Sequence, residues 1–375
     1  MKAGFISAGL AAALLSWGVP PAWSQGAVMP YLNFDGTELP TNKEGVGYPT
    51  YYHGTYQGRS DGGTFSRSLD PEKKVAGDAS LKMHFTDGRY LYAQFNPYDG
   101  SSRGFAREYV SDPGAWKFNT FNRLRLWLWV PQTGEQEQLD GRTNFYLGTY
   151  VKRVTNANRS SDEDGGGHYY HPFNVLRGVW TLCVFNSHPG HRRGQPGGED
   201  SGNVPYPTSG DPANTYNYFD ALTRWYISGN REGSAVPRDY WLDEVAFYEE
   251  PLRENDEQVY SICASASVAN DRLFLTWNRP KDENDVMHEV RYAFSDIHDL
   301  GWANATRAPN GVVDPPGWQG YNGMVYDTRN IDFRNRSVIY IAIKPENSNV
   351  FSQIALPILG SDYKEPEPPA DVRAN

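Results

Sequence analysis

Residues 121–130 read FNRLRLWLWV and form the clearest strand pattern in the chain. Alternation with a period of two is typical of a β-strand, because successive side chains point to opposite faces of a sheet. The alternation separates three leucines from an arginine and two tryptophans: Leu124, Leu126 and Leu128 against Arg125, Trp127 and Trp129. We therefore predict a strand with one aliphatic face and one aromatic face.

Similar stretches recur on both sides of this strand. They read GDASLKMHF at 77–85, NFYLGTYV at 144–151 and DYWLDEVAFY at 239–248. In the last of these, we expect one face to be shared by Trp241, Asp243, Val245 and Phe247. Short strands, polar turns and scarce helical periodicity predict an all-β fold, with a large antiparallel jelly-roll or β-sandwich domain and a smaller immunoglobulin-like sandwich.

Composition narrows the choice of partners. The 375 residues include 14% aromatic residues, 37 glycines and 26 prolines, which is typical of an all-β protein with many turns. The net charge is −10 and there is no block rich in lysine or arginine. This balance argues against nucleic acid and against an anionic membrane surface as partners, and a neutral ligand fits it more easily.

The first residues resemble a targeting segment. Lys2 precedes a largely apolar run, and Ala22-Trp23-Ser24 places small residues at the two positions that a signal peptidase reads. We expect a signal peptide at 1–24 and a secreted or periplasmic protein. No other stretch stays apolar for the length of a membrane span, so we expect no membrane insertion.

A charged segment divides the chain. Residues 249–258 read EEPLRENDEQ, and we place a linker at 251–258 between a domain at 29–250 and a second one at 259–360. Residues 361–375 lack core-forming side chains and are expected to be a disordered tail. The two cysteines, Cys183 and Cys263, fall in different predicted domains, which favours buried free thiols over a disulfide.

Two family resemblances add to these predictions. Residues 260–358 resemble a fibronectin type III domain through LFLTWNRP, HEVRYAFS and VIYIAIKPENSNV. Residues 29–250 resemble jelly-roll carbohydrate-binding modules through LNFDG, GDASLKMHF, FNRLRLWLWV, GVWTLCVFN and WLDEVAFYE. The second resemblance implies carbohydrate binding, and it implies a structural calcium ion where the first and last strands meet, at Asp35 and Asp243.

The stretch 164–226 contains the candidate ligand site. It holds four of the eight histidines and a dense set of tyrosine, tryptophan, arginine and asparagine residues. Neutral glycans are recognised by flat aromatic faces together with a few planar hydrogen-bonding groups. The candidate ligand-binding residues are His168, Tyr170, His171, His188, His191, Arg192, Arg193, Tyr218 and Arg224. The candidates for the aromatic platform are Trp127, Trp129, Tyr146, Tyr169, Tyr170, Tyr216, Tyr218 and Trp225.

Other chemistries stay compatible with the same stretch. The two H-x-x-H pairs could ligate zinc or copper only in loops or bends, because positions three apart on a strand face opposite sides. A lyase would use histidine or tyrosine as base with arginine neutralising a carboxylate, whereas no spacing selects the carboxylate pair of a hydrolase. A structural or adhesive surface protein is a further alternative, and the sequence leaves the oligomeric state open.

Overall fold

The computed structural model describes residue 34 and the ranges 50–52, 55–56, 59–60, 63–85, 91–96, 123–131, 142–151, 167–186, 191–192, 222–229, 239–248, 261–278, 288–308, 323–346 and 348–359. The predicted signal peptide, linker and C-terminal tail lie outside these residues. Most of the described chain is in strands and almost none is in helix.

The described strands are numbered in chain order. They are β1 (Thr50–Tyr52), β2 (Thr55–Tyr56), β3 (Arg59–Ser60), β4 (Gly63–Ser68), β5 (Ser80–Phe85), β6 (Leu91–Asn96), β7 (Arg123–Trp129), β8 (Arg142–Val151), β9 (Gly167–Leu176), β10 (Thr181–Asn186), β11 (His191–Arg192), β12 (Leu222–Gly229), β13 (Asp239–Tyr248), β14 (Ser261–Ser267), β15 (Arg272–Asn278), β16 (His288–Ala293), β17 (Thr306–Arg307), β18 (Gly323–Arg329), β19 (Val338–Pro345) and β20 (Ser352–Pro357). One short helix, α1 (Ile297–Leu300), and 3-10 turns at Pro71–Lys73, Val268–Asn270 and Trp302–Asn304 complete the described elements.

These strands form three antiparallel sheets and one small hairpin. The central sheet has eight strands in the order β18-β15-β14-β10-β7-β13-β5-β4. A six-stranded sheet has the order β1-β6-β12-β8-β9-β11, a four-stranded sheet has the order β17-β16-β19-β20, and β2 pairs with β3. The predicted all-β class and its antiparallel sandwich architecture are confirmed.

The first hydrophobic core lies between the six-stranded and eight-stranded sheets. The three leucines of β7 point into it, as their alternation predicts. Aromatic rings from both sheets meet there: the centroids of Phe145 and Phe173 are 5.5 Å apart, those of Phe173 and Phe185 are 5.4 Å apart, and those of Phe145 and Tyr240 are 5.9 Å apart. Burial of these rings, together with the aliphatic side chains around them, stabilises this pair of layers.

The second core lies on the other face of the eight-stranded sheet, where the four-stranded sheet packs. Leu273, Leu275 and Trp277 of β15 enter it, as predicted from their alternation. Trp127 of β7 belongs to the same core and is only 1% exposed. The aromatic face of β7 therefore points into the second core, and Trp127 does not belong to an exposed platform on the surface.

The eight-stranded sheet crosses the predicted domain boundary. β10 pairs with β14, which places Cys183 opposite Cys263 and Leu182 opposite Ala264. Both cysteines are free and buried, so the prediction of buried thiols is confirmed. The two predicted units are thus joined edge to edge by a strand pair, which we call the seam, while the exact domain limits stay a prediction.

A β-bulge in β13 changes the predicted facing of this strand. Its register with β7 shifts between Asp243 and Ala246, and Glu244 has a left-handed φ of 47°. Trp241 points into the second core, whereas Val245 points into the first. The prediction that Trp241 and Val245 share a face is wrong, because the bulge inserts an extra residue and reverses the alternation.

Candidate functional site

Buried residues fix which face of the six-stranded sheet points inward. Ala93 of β6, Phe145 and Leu147 of β8, and Phe173 and Val175 of β9 are buried in the first core. Trp225 and Ile227 of β12 are buried there as well. Cross-strand register agrees with this phase, since Ile227 is opposite both Ala93 and Leu147. The positions between these residues therefore lie on the outer face of the sheet.

One row of outer positions crosses all six strands in register. From β1 to β11 it consists of Tyr52, Gln94, Tyr226, Gly148, Tyr170 and His191. Gly148 occupies the middle of the row, with a tyrosine position on each neighbouring strand. Because adjacent strands are about 4.8 Å apart, the two tyrosine positions are separated by roughly 10 Å across the glycine.

Two shorter rows flank the central one. They consist of Arg224, Tyr150 and His168 on one side, and of Tyr92, Ser228, Tyr146 and Pro172 on the other. We call these thirteen positions in three rows the tyrosine face. It contains six tyrosine positions and no aspartate or glutamate.

The register brings together four of the predicted ligand-binding residues. His168, Tyr170, His191 and Arg224 occupy positions on the tyrosine face. His171 is opposite Leu147, and Arg192 is opposite Tyr169. Both positions therefore belong to the inner face of the sheet and not to the tyrosine face. The remaining three candidates, His188, Arg193 and Tyr218, lie outside the described residues.

The same register bears on the two H-x-x-H pairs. His168 and His171 are both on β9, whose pairing with β8 runs without a shift from Gly167 to Leu176. Positions three apart on a regular strand lie on opposite faces, so this pair does not present two neighbouring positions to one ion. Among the described residues, there is no group of three or more His, Cys, Asp or Glu side chains that could hold a metal ion.

The aromatic platform predicted from the tryptophans needs correction. Trp127 and Trp225 are 1% and 2% exposed, because each points into a core. Trp129 is half-buried, with the Lys73 ammonium 3.8 Å from its ring centroid. The residues that sequence reasoning missed are Tyr92, Gln94, Gly148, Tyr150 and Tyr226, although the alternation of NFYLGTYV around Phe145 and Leu147 already separates Gly148 and Tyr150 from the core positions.

Asp243 has a defined structural role. Its carboxylate is fully buried beside the bulge. The Oδ2 atom accepts hydrogen bonds from the backbone N–H groups of Val75, at 2.7 Å, and Ala76, at 3.4 Å, and Oδ1 accepts one from Glu244, at 2.9 Å. These bonds hold the segment before β5 against β13. Asp35 lies outside the described residues, and calcium at Asp35 and Asp243 stays a prediction.

Comparisons with known proteins do not identify a family. The chain matches no protein-family model and no curated protein sequence. Among the described residues, no helix is long and apolar enough to cross a membrane.

Proposed function

We propose that this protein binds carbohydrate on the tyrosine face. The observation that carries the proposal is the central row, in which six positions are in register across six strands and two tyrosine positions flank Gly148. Tyrosine offers a flat apolar ring that can stack on a sugar and a hydroxyl group that can hydrogen-bond to it. Glycine has no side chain, so the row has space for a ring between the two tyrosines.

The polar residues of the tyrosine face suit the same ligand. Gln94 supplies both donors and acceptors, Ser228 supplies a hydroxyl, and His191 and Arg224 supply ring and guanidinium donors. A few such groups around aromatic surfaces are typical of glycan recognition, because they fix orientation while the rings contribute contact area. None of the thirteen positions carries a carboxylate that would repel an acidic glycan. Both neutral and acidic polysaccharides are therefore suitable partners.

The resemblance to jelly-roll carbohydrate-binding modules supports the same function. We propose in addition that the segment 1–24 directs export, which would give the tyrosine face access to polysaccharides in a secreted or periplasmic setting. N-terminal sequencing of the mature protein tests this part separately. A start at residue 25 supports export, whereas retention of Met1 in the extracellular or periplasmic fraction contradicts cleavage.

The row of Arg224, Tyr150 and His168 favours a polysaccharide lyase as the second candidate function. In such an elimination, the base removes the proton next to the carboxylate, a carbon–carbon double bond forms, and the glycosidic oxygen leaves and is protonated. Arginine would neutralise the uronate carboxylate, and tyrosine or histidine would act as base and acid. A hydrolase is less well supported, because none of the thirteen positions provides the pair of carboxylates that it needs.

A glycan array probed with the mature protein tests the proposal. We expect binding to at least one polysaccharide, and an affinity that falls about tenfold in Tyr170→Ala, which corresponds to roughly 1.4 kcal/mol. Tyr170→Phe is the matched control, because it keeps the ring and should stay within about threefold of wild type. Absence of binding to a broad panel would instead favour a structural or adhesive protein.

Ultraviolet absorbance separates binding from lyase activity on the same samples. A lyase generates a conjugated double bond and its absorbance grows with time, whereas a binding protein leaves the polysaccharide intact. If absorbance grows, His168→Ala should abolish it while retaining polysaccharide binding.

A further inference from the structure

A cavity lies on the opposite side of the eight-stranded sheet from the tyrosine face. Its volume is about 280 Å³. One part of its wall consists of three tryptophans: Trp127 and Trp129 of β7, and Trp180 before β10. Another part consists of Ala266 of β14 and Leu359 after β20. Residues from both sides of the seam therefore line it, and junctions of this kind are frequent locations of small-ligand sites.

Lys73 brings a positive charge to this cavity. Its side chain is 16% exposed, and its Nζ atom stands 3.8 Å from the centroid of the Trp129 ring. Among the described residues, the carboxylate within ion-pair distance is that of Glu72, at 3.9 Å, and this group is 85% exposed. An ion pair at that distance with an exposed partner contributes little to stability.

The ammonium group lacks a hydrogen-bond acceptor within the described part of the chain. Ammonium has three N–H donors, so those of Lys73 are available to an acceptor group of a ligand. The indole N–H groups of Trp127 and Trp180, both in the cavity wall, are likewise buried without an acceptor among the described residues. The cavity wall thus contains N–H donors that lack an acceptor, beside the exposed carboxylate of Glu72, which also lines the cavity.

The backbone holds Lys73 in place. It ends a 3-10 turn in which Asp70 caps the N–H of Glu72 at 2.9 Å, and the carbonyl of Lys73 accepts a hydrogen bond from Ser80 Oγ. Asp243 fixes the following residues, Val75 and Ala76, through their amides. The cation is consequently presented by an ordered segment, which lowers the entropy that a ligand must offset on binding.

We propose that this cavity is a second binding site, which takes a small ring bearing a carboxylate. The carboxylate would accept hydrogen bonds from the Lys73 ammonium, and the ring would lie along the tryptophan wall. A cyclic sugar acid and an aromatic acid share this chemistry and fit the same volume. The proposal does not depend on glycan binding at the tyrosine face, which is on the other side of the molecule.

Tryptophan fluorescence and calorimetric titration with glucuronate and benzoate test the site, with glucuronamide and glucose as uncharged controls. We expect saturable binding of at least one acid at millimolar or lower concentration and no binding of the amide. Binding of glucuronate alone assigns a sugar acid, and binding of benzoate alone assigns an aromatic acid. If neither acid binds, or if the amide binds as well as the acid, the proposal is overturned.

Variants locate the site. Lys73→Met should weaken the binding at least about tenfold, whereas Lys73→Arg should retain it. Lys82→Met is the matched control, because the Lys82 ammonium also lies over a tryptophan, 5.2 Å from the Trp241 ring, but is paired with Asp239 at 3.2 Å outside the cavity. Equal loss in both methionine variants would contradict the assignment to Lys73. Should Lys73→Met not fold, the comparison of acid with amide on the wild-type protein still decides the question.

Discussion

Cys183 and Cys263 lie directly opposite each other on β10 and β14, and both thiols are fully buried. They belong to the first core, although one comes from the large predicted domain and the other from the smaller predicted domain. The contact makes the seam part of a hydrophobic interior. The second unit is therefore built into the sheet of the first.

This arrangement predicts cooperative unfolding of the two units. Calorimetry of the whole chain should show one transition, with equal calorimetric and van't Hoff enthalpies. A fragment ending at residue 250 would lack β14 and expose the edge of β10, so we expect a lower midpoint and a tendency to aggregate. Two separate transitions, with the fragment retaining the midpoint of one of them, would contradict the seam.

The thiols should be unreactive in the folded protein. Burial, followed by the hydrogen bond and charge interaction with Cys183, raises the pKa of Cys263 well above its usual value. Because the thiolate is the reactive form, an alkylating reagent should modify neither cysteine at neutral pH in the folded state, and both after denaturation. Mass spectrometry counts the modified sites, and rapid modification of either cysteine before unfolding would contradict their burial.

We expect the buried phenol of Tyr240 to make the folded protein less stable in alkaline solution. Burial raises the pKa of its phenol above the usual value of about 10, and only Arg177 opposes this effect among the causes. Below about pH 10, the phenol keeps its proton in both the folded and the unfolded state, so its ionisation does not lower the stability of the protein. Above it, only the unfolded phenol ionises, and stability falls by up to about 1.4 kcal/mol per pH unit.

The Tyr240→Phe variant isolates this contribution. Urea unfolding of wild type and variant between about pH 9 and 11 should give a shallower loss of stability in the variant. The other ionisable groups are common to both proteins, so the difference in slope belongs to Tyr240. Identical slopes would show that the phenol titrates normally.

Asp243→Asn should destabilise the protein by about 2–3 kcal/mol, because an amide nitrogen replaces one carboxylate oxygen among backbone donors and the charge assistance is lost. Urea unfolding measures the change. Asp271→Asn provides the control at an exposed left-handed position, where asparagine is tolerated and the midpoint should hardly move.

Chelation tests the calcium expected at the same carboxylate. If calcium binds there, EDTA should lower the wild-type melting temperature and have little effect on Asp243→Asn. An unchanged wild-type melting temperature would contradict the calcium prediction. The role of Asp243 would then be to accept hydrogen bonds from the three backbone amides.

Local pattern was sufficient to predict the strands and most of their facing. The predicted side chains of β7 and β15 point into cores, because alternation is a property of the strand itself. They are the three leucines of β7, and Leu273, Leu275 and Trp277 of β15. Alternation failed at Val245, where a bulge centred on the left-handed Glu244 reverses the phase. No glycine marks that position, so the sequence gives no turn signal for it.

Long-range pairing was not predictable from these patterns. Nothing local in β10 or β14 specifies that their edges meet, and the cysteines were accordingly assigned to separate domains. Trp127 was expected to belong to an exposed sugar-binding platform because its strand shows an aromatic face, but its side chain is buried in the second core. The tyrosine face required register between strands distant in sequence, which only the assembled sheet supplies.

The most direct test of the central claim is retention on a panel of immobilised polysaccharides, compared between wild type and Gly148→Trp. The substitution fills the middle of the central row, while its outer-face position should leave the core intact. We predict that wild type is retained by at least one polysaccharide and that Gly148→Trp, with an unchanged melting temperature, elutes with the void. Equal retention of the two proteins, or no retention of wild type, would contradict carbohydrate binding at the tyrosine face.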